Sequence, residues 1–285
     1  MIRLPSFAGR TGLVTGASSG IGRETALALA RSGADLVLVA RRAAALEAVR
    51  DEALAVARDA GRTDARVLVA AADVTKAAQV KACFAGALDA FGSIDLVVNN
   101  AGILIPARVE EIRDRDLDAM LKVNLFGALH VMQQAARAMR PNRRGSIVNV
   151  ASLGGRRAFS PIGGYCASKF ALVGLTESFR MELDGSGVHV SLVLPGIVET
   201  PMYERGITQA EDVAEIWPRG LNMPAEWVVA AILYAARYNL RELSVPPGAG
   251  EISKLLSVAP ALADTLIKAT MGAARLAAGA RRARR

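Results

Sequence analysis

Thr15-Gly16-Ala17-Ser18-Ser19-Gly20-Ile21-Gly22 is the stretch on which the fold turns. It follows a short apolar run at 12–15 and opens a stretch with helical spacing at 21–31. Glycine lets backbone come close to a pyrophosphate, and the start of a helix supplies free N–H groups and the positive end of a dipole. The spacing is G-x-x-x-G-x-G, not the G-x-G-x-x-G of the commoner dinucleotide turn. Its place in the first strand-to-helix turn is what carries weight.

Outward from that turn, short Val/Leu runs recur at 35–40 (DLVLVA), 66–71, 95–99, 146–150 and 188–194. Continuous apolar runs of this length suit strands covered on both faces. Ala/Leu/Arg stretches with helical spacing, such as 43–60 and 76–91, separate them. Strand-helix alternation predicts an α/β fold with a Rossmann-like, doubly wound parallel sheet and right-handed crossovers. There is no internal repeat and no linker before Pro246-Pro247. Residues 1–247 therefore read as one dinucleotide-binding and catalytic domain, and 248–285 as a C-terminal helical extension, amphipathic and basic.

Composition narrows the class. The chain has 285 residues, 52% hydrophobic and 22% charged, with 26 Gly and 11 Pro. That excludes wholesale disorder and a collagen-like fibre, and leaves enough apolar side chains for a large core. Cys83 and Cys166 make neither a disulfide scaffold nor a CxxC pair, so a reduced, cytoplasmic protein is expected. With His130 and His189 the only histidines, no metal site is expected. Residues 1–10 lack an apolar signal segment, and no uncharged apolar run reaches the roughly 18 residues of a spanning helix. Net charge is +8 at pH 7, but five of the positives (Arg275, Arg281, Arg282, Arg284 and Arg285) fall in the last eleven residues. A basic tail with no nucleic-acid motif beside it argues against a nucleic-acid partner.

Two further readings come from the strand ends. The acid that would hold a ribose 2′-hydroxyl is sought about 20 residues past the turn. Asp35 has that spacing but begins the second strand, remote from the crevice. The far end of the strand reads Ala40-Arg41-Arg42, with no carboxylate and two guanidinium groups suited to a 2′-phosphate. NADP(H) is therefore expected over NAD(H). Farther on, Ser152 precedes Tyr165 by thirteen residues and Lys169 follows it by four, so Tyr165 and Lys169 share a helix face. Tyrosine titrates near 10, and an ammonium one turn away is expected to lower that value. A serine hydroxyl holding a carbonyl or alcohol oxygen beside the phenol completes a set suited to proton transfer coupled to hydride transfer. No G-x-S-x-G surrounds Ser152, so a nucleophilic serine is not expected.

Further motifs stand in the same order along the chain: Asn99-Asn100-Ala101-Gly102, Lys122-Val123-Asn124-Leu125, Tyr165-Cys166-Ala167-Ser168-Lys169, and Pro195-Gly196 with Thr200 just beyond. Together with the glycine turn and Ser152, they resemble the classical short-chain dehydrogenase/reductase (SDR) family over about residues 8–245. The resemblance implies an NADP(H)-dependent oxidoreductase interconverting a carbonyl and a secondary alcohol. Tyr165 would be the acid/base, and Ser152 would position the substrate oxygen. Lys169 would bind ribose hydroxyls, and Asn124 would anchor a water in a relay through Lys169. Gly16, Ser18, Ser19, Gly20, Ile21 and Gly22 would cradle the cofactor, with Asp73 and Val74 at adenine. Asn100, Ala101 and Gly102 would pass behind the ribose. Pro195 and Gly196 would close the sixth strand, with Ile197 and Thr200 at the carboxamide. The competing reading is a non-catalytic NADP-binding or membrane-associated interaction module on the same fold. The complete Asn124, Ser152, Tyr165, Lys169 set speaks against it.

On the substrate side the resemblance implies a covering segment at about 199–222, where Met202, Tyr203, Ile207, Ile216 and Trp217 would form an apolar lid. Leu104, Leu153 and Phe159 would add wall, and a hydrophobic ketone or alcohol is expected. Arg156 and Arg157 face either an acidic substrate group or solvent on this reading. Trp227 reads as pocket or core, Cys166 as packing, and both histidines as structural. A homodimer or tetramer is implied. The chain departs from the family where Glu242–Val245 is followed by Pro246-Pro247 and almost forty residues, which weighs against the tetramer. Leu255, Val258, Ala259, Leu262, Leu266, Met271 and Leu276 approximate an apolar face with Lys254, Lys268 and Arg275 beside it. That face would lie on a membrane surface, on the lid or on a second subunit.

Overall fold

Leu13, Val37, Val39, Val97 and Ile147 point to one side of a sheet, while Val14, Leu36, Leu38, Leu96, Val98 and Val148 point to the other. This two-residue alternation inside continuous apolar runs builds the core, because both faces are covered. The computed structural model describes residues 4–202 and 222–256, with positions 258, 259, 261, 265 and 269 beyond. Its seven strands are β1 (Thr11–Thr15), β2 (Asp35–Ala40), β3 (Val67–Ala71), β4 (Leu96–Asn99), β5 (Gly145–Val150), β6 (Val188–Pro195) and β7 (Glu242–Val245). All neighbours run parallel, in the order β3-β2-β1-β4-β5-β6-β7. Register pairs Thr15 with Val39 on one side of β1, and Val14 with Val98 on the other.

Helices α1 (Gly20–Arg31), α2 (Ala43–Asp59) and α7 (Ala225–Tyr238) cover the face carrying Val14 and Leu38. Helices α3 (Ala77–Phe91), α5 (Ala128–Met139) and α6 (Gly163–Glu182) cover the face carrying Leu13 and Val97. Leu13, Leu36 and Leu38 are fully buried; each such side chain contributes about 1.5–3 kcal/mol relative to exposure. The strand order reverses between β1 and β4, so the crevice at the carboxyl ends of those strands is where a ligand finds room.

Two features depart from the simple strand-helix rhythm. Between α4 (Asp114–Leu121) and α5 the chain makes a π-helical turn, Lys122–Gly127. The C-terminal extension begins as α8 (Ala249–Leu256), seated on β7. A Cβ on Gly250 would lie 3.2 Å from Ser244 Cβ, and Lys254 Nζ is 2.8 Å from Glu242 Oε1. Leu255 and Val258 of the expected apolar face are exposed, as is Ile252. Leu262, Leu266, Lys268, Met271, Arg275 and Leu276 lie outside the described residues, as do Tyr203, Ile207, Ile216 and Trp217 of the expected lid.

Candidate active site

A cleft of about 480 Å³ opens at the carboxyl ends of β1, β2, β3 and β4. Gly16, Ser18, Ser19, Gly20 and Ile21 form one wall; Arg41, Arg42, Asp73 and Val74 form another; Asn100, Ala101, Gly102 and Thr200 close it. The glycine turn is held without slack. Gly16 has φ +68°, and a Cβ there would lie 2.9 Å from Asn100 Nδ2. A Cβ on Gly22 would come within 2.3 Å of the Gly16 carbonyl oxygen, so Gly22 lies behind the turn and does not line the cleft. Thr15 Oγ1 accepts from the backbone N–H of Asn100 (3.0 Å) and Ala101 (3.1 Å), while Asn100 Nδ2 donates to Thr15 O (3.1 Å). Helix α1 carries no acidic residue in its first turn and no side-chain cap, so its N–H groups and dipole are available to an anion. A cradle in which side chains are sterically excluded, backed by a helix start, fits a pyrophosphate.

At the adenosine end, Arg41 and Arg42 are exposed and Arg42 Nη2 reaches Ser18 Oγ at 3.4 Å. Asp35 sits at the opposite end of β2, paired with Arg62 (2.9 Å) and Arg66 (2.8 Å). Its twenty-residue spacing is accordingly structural. Burial pushes the Asp73 carboxyl up, but the Thr75 N–H at 2.9 Å and the nearby Arg41 and Lys76 outweigh it, and the net shift is downward. Val74 packs where a Cβ on Gly127 would stand 2.7 Å from its Cγ2, and His130 Nδ1 meets the Val74 carbonyl oxygen at 2.9 Å.

Packed against Ile103, Leu104 and Ile105 of the cleft lining, Tyr165 sits in the first turn of α6, with the Ser152 side chain beside its hydroxyl. Ser152 Oγ also accepts from Gly154 N (3.0 Å) and lies 3.4 Å from the Pro195 carbonyl oxygen. Lys169 Nζ lies 5.7 Å from the Tyr165 ring centroid and donates to Val150 O at 3.0 Å. Asn124 is fully buried within the π-turn. Its Oδ1 accepts from Ile103 N (2.8 Å), and its Nδ2 donates to Ile103 O and to Ser168 Oγ (both 2.9 Å). Ser168 Oγ in turn donates to the Tyr165 carbonyl oxygen at 2.7 Å. The Asn124 side chain thus braces the loop after β4 against α6. Gly196, just past β6, takes a backbone bond to Val245 (2.7 Å), and Ile197 O accepts from Met223 N (2.8 Å).

The lysine effect expected from spacing differs in the folded site. Burial pushes Tyr165 up to about 12, with the Ser152 hydrogen bond acting the other way. Burial also lowers Lys169 to about 8. A lysine that gives up its proton near 8 offers no charge at the pH where the tyrosine titrates, so desolvation wins. The two shifts predict a pH signature for the protein without added cofactor. Lys169 binds its proton more weakly folded than unfolded, so its contribution to stability returns as pH climbs from about 8 toward the ordinary lysine value near 10.4. Tyr165 acts oppositely, with stability lost as pH climbs from about 10 to about 12. Melting temperature should therefore rise between pH 8 and 10, and Lys169→Met should abolish the rise; an unchanged rise in that variant would contradict the assignment.

Around Tyr165 the walls are apolar. Met120, Ile162 and Cys166 are buried with it, and Ile103, Leu104, Ile105 and Phe159 pack against them. A Cβ on Gly196 would meet Met223 Cε at 3.1 Å and Leu153 Cδ1 at 3.4 Å. Of the expected lid, Met202 lines the cleft. Arg156 faces neither an acidic substrate group nor solvent, because it is paired with Glu177 and Glu242. Trp227 is half exposed on α7, neither pocket nor core, and His189 is exposed. Cys166 is buried and its thiol is pushed up by burial, as packing requires. Ile103, Ile105, Val123, Ala72 and Pro201 line the cleft without having been singled out. Ile103 directly follows Gly102 and Ile105 stands two residues farther on, and that adjacency was the available signal.

Known proteins share the sequence pattern and the fold. Residues 10–211 match the family model described as short chain dehydrogenase. The chain is 37% identical over 218 residues to sorbitol dehydrogenase of Cereibacter sphaeroides, covering 74% of this chain and 79% of that protein. Among solved structures it resembles a short chain dehydrogenase/reductase from Burkholderia phymatum in complex with NAD (TM-score 0.77, 28% identity, 92% of this chain and 96% of that one). It also resembles an alcohol dehydrogenase from Thermococcus sibiricus complexed with 5-hydroxy-NADP (TM-score 0.70, 27% identity, 82% and 95%).

Proposed function

The chain belongs to the short-chain dehydrogenase family, and from that premise we propose that it is an NADP(H)-dependent oxidoreductase interconverting a hydrophobic ketone and its secondary alcohol, with Tyr165 as acid/base. Membership makes it a dehydrogenase/reductase acting on CH–OH or C=O with a nicotinamide cofactor. One observation carries the finer reading: Tyr165, with Ser152 beside its hydroxyl and Lys169 beside its ring, packs against Ile103, Leu104 and Ile105, which line the same cleft as Arg41 and Arg42.

The bound nicotinamide supplies or accepts the hydride. Ser152 orients the substrate oxygen next to the Tyr165 hydroxyl. Tyr165, holding its proton at neutral pH, is in the form that donates to a carbonyl oxygen; alcohol oxidation requires that proton to leave first. Lys169 binds ribose hydroxyls, and Asn124 keeps the loop after β4 in register with α6. Gly16 and Ser18 to Ile21 hold the pyrophosphate with Gly22 packed behind them, Asp73 and Val74 the adenine, Asn100 to Gly102 the ribose, and Pro195 to Ile197 with Thr200 the carboxamide. Leu104, Leu153, Phe159 and Met202 favour an apolar substrate. Residues 1–247 form the working unit in this reading, and 248–285 the extension. A homodimer, a cytoplasmic location and contact of the basic tail with anionic membrane are proposed with it. Among the described residues, no helix is long and apolar enough to cross a membrane.

The test is a titration of NADPH and NADH by fluorescence, followed by NADPH oxidation against a panel of apolar ketones. Hydrogen bonds to a charged group contribute about 1.5–3 kcal/mol. Wild type should accordingly bind NADPH about 10–100-fold more tightly than NADH, and Ala40→Asp with Arg41→Ala should reverse the order. Equal affinities in wild type would remove the basis for NADP preference.

A further inference from the structure

We propose that Arg156 is a positioning residue for Ser152, and that helix α8 of the C-terminal extension shares in that positioning through Lys254. This rests on the reading of Ser152 as the group that holds the substrate oxygen.

Past Ser152 the chain makes a 3-10 turn, Leu153–Gly155, and then reaches Arg156. The turn is wedged against α6. A Cβ on Gly154 would stand 3.3 Å from Cys166 Sγ, and one on Gly155 only 2.8 Å from the Lys169 carbonyl oxygen. Its backbone closes on Ser152: Gly154 N donates to Ser152 Oγ (3.0 Å) and Gly155 N to Ser152 O (2.9 Å). Where this turn sits therefore decides where the Ser152 hydroxyl points.

Arg156 anchors the end of the turn. Its Nη2 lies 2.5 Å from Glu177 Oε1 on α6 and 2.5 Å from Glu242 Oε2 on β7. The other oxygen of Glu242 is 2.8 Å from Lys254 Nζ on α8. The chain of ion pairs joins four segments, balances two positive against two negative charges, and places Arg156 and Glu242 largely out of solvent, with side chains 14% and 11% exposed. Ion pairs of this kind add little stability over apolar packing, but removing one partner leaves a largely buried charge unpaired. Arg156 Nε is buried with no hydrogen-bond partner, so the side chain accepts an unsatisfied donor in order to span two carboxylates. Helix α8 is seated against the same carboxylate, since a Cβ on Gly250 would lie 3.4 Å from Glu242 Oε1, and a separate bond from Ser244 Oγ to Glu251 Oε2 at 3.3 Å ties α8 to β7. The extension is thereby coupled to the turn that carries Ser152.

The experiment compares Arg156→Met, Arg156→Lys, Glu242→Gln and Lys254→Met in the full chain. Three readouts are taken: NADPH affinity, kcat and KM on a ketone, and hydrogen exchange over residues 152–157. Small misplacements of a positioned group cost up to about 100-fold in rate. Arg156→Met should lower kcat by about 10–100-fold on that scale, leave NADPH affinity unchanged, and speed exchange at 152–157 but not in β1 or β4. Arg156→Lys should recover part of kcat, and Lys254→Met should move both readouts the same way by less. A lower melting temperature with unchanged kcat and unchanged exchange at 152–157 would reduce the cluster to a structural tie and overturn the proposal. Should Arg156→Met fail to fold, Glu242→Gln and Lys254→Met decide by the same criteria. A wild-type chain that reduced no ketone would defeat the functional reading, while exchange at 152–157 would still decide whether Arg156 and Lys254 hold the turn.

Discussion

Tyr165→Phe is expected to lower turnover by about 10²–10⁴-fold, the usual worth of a positioned acid or base, while NADPH affinity stays at the wild-type level. The substitution keeps the ring that packs with Met120, Ile162 and Cys166 and removes the hydroxyl that meets Ser152. It also removes a buried polar group, so the protein should not become less stable through an orphaned partner: Ser152 Oγ keeps Gly154 N and stays near Pro195 O. Stopped-flow measurement of NADPH oxidation with a ketone, beside fluorescence titration of NADPH, separates chemistry from binding. Near-wild-type turnover in Tyr165→Phe would mean that another group supplies the proton.

The opposite signature is expected from Gly22→Ala. The new methyl would fall 2.3 Å from the Gly16 carbonyl oxygen and 2.7 Å from Asn100 Nδ2. Neither neighbour is the loose end of a flexible side chain. One is backbone of the glycine turn, and the other is an amide fixed to Thr15 O. Overpacking of this kind costs about 1–3 kcal/mol. Expressed in the cradle itself, that is about 10–100-fold in NADPH affinity. Gly174→Ala on α6 is the control, since a Cβ there meets nothing within 4 Å; it should stabilise by about 0.4–1 kcal/mol and leave affinity alone. Equal NADPH affinity in Gly22→Ala and wild type, measured by fluorescence, would mean that the turn does not hold the cofactor.

Why these positions could be read from the sequence is clear once the sheet is drawn. Five of the candidate motifs directly follow a strand, and strand direction alone sends the glycine turn, Arg41, Asp73, Asn100 and Ser152 to one end, whereas Asn124, Tyr165 and Lys169 come from helices. Direction also disposes of Asp35, which distance along the chain would have selected. What stayed hidden depends on burial or on distant partners. Spacing puts Lys169 beside Tyr165 but says nothing of the solvent both lose, so the sign of the tyrosine shift came out reversed. Arg156 meets residues 21 and 86 positions away, which no local pattern announces. Ser168 lay inside the Tyr165–Lys169 motif, yet its bond to Asn124 needs two helices to be placed first.

The π-turn at Lys122–Gly127 has a consequence for how this segment tolerates change in length. A π-turn holds one residue more than an α-turn, and a residue is worth about 100° of rotation about the helix axis. The turn therefore resets the helical phase between α4, which directs Met120 toward Tyr165, and α5, which directs Val131, Met132 and Met139 into the sheet. Deleting one residue between 122 and 127 would close the π-turn into an α-turn and keep both faces on target, because the same rotation would then take one residue fewer. What such a deletion would disturb is local: the placing of Asn124 against Ile103. The irregularity takes up one residue between two faces that an unbroken helix of one residue fewer would hold equally well.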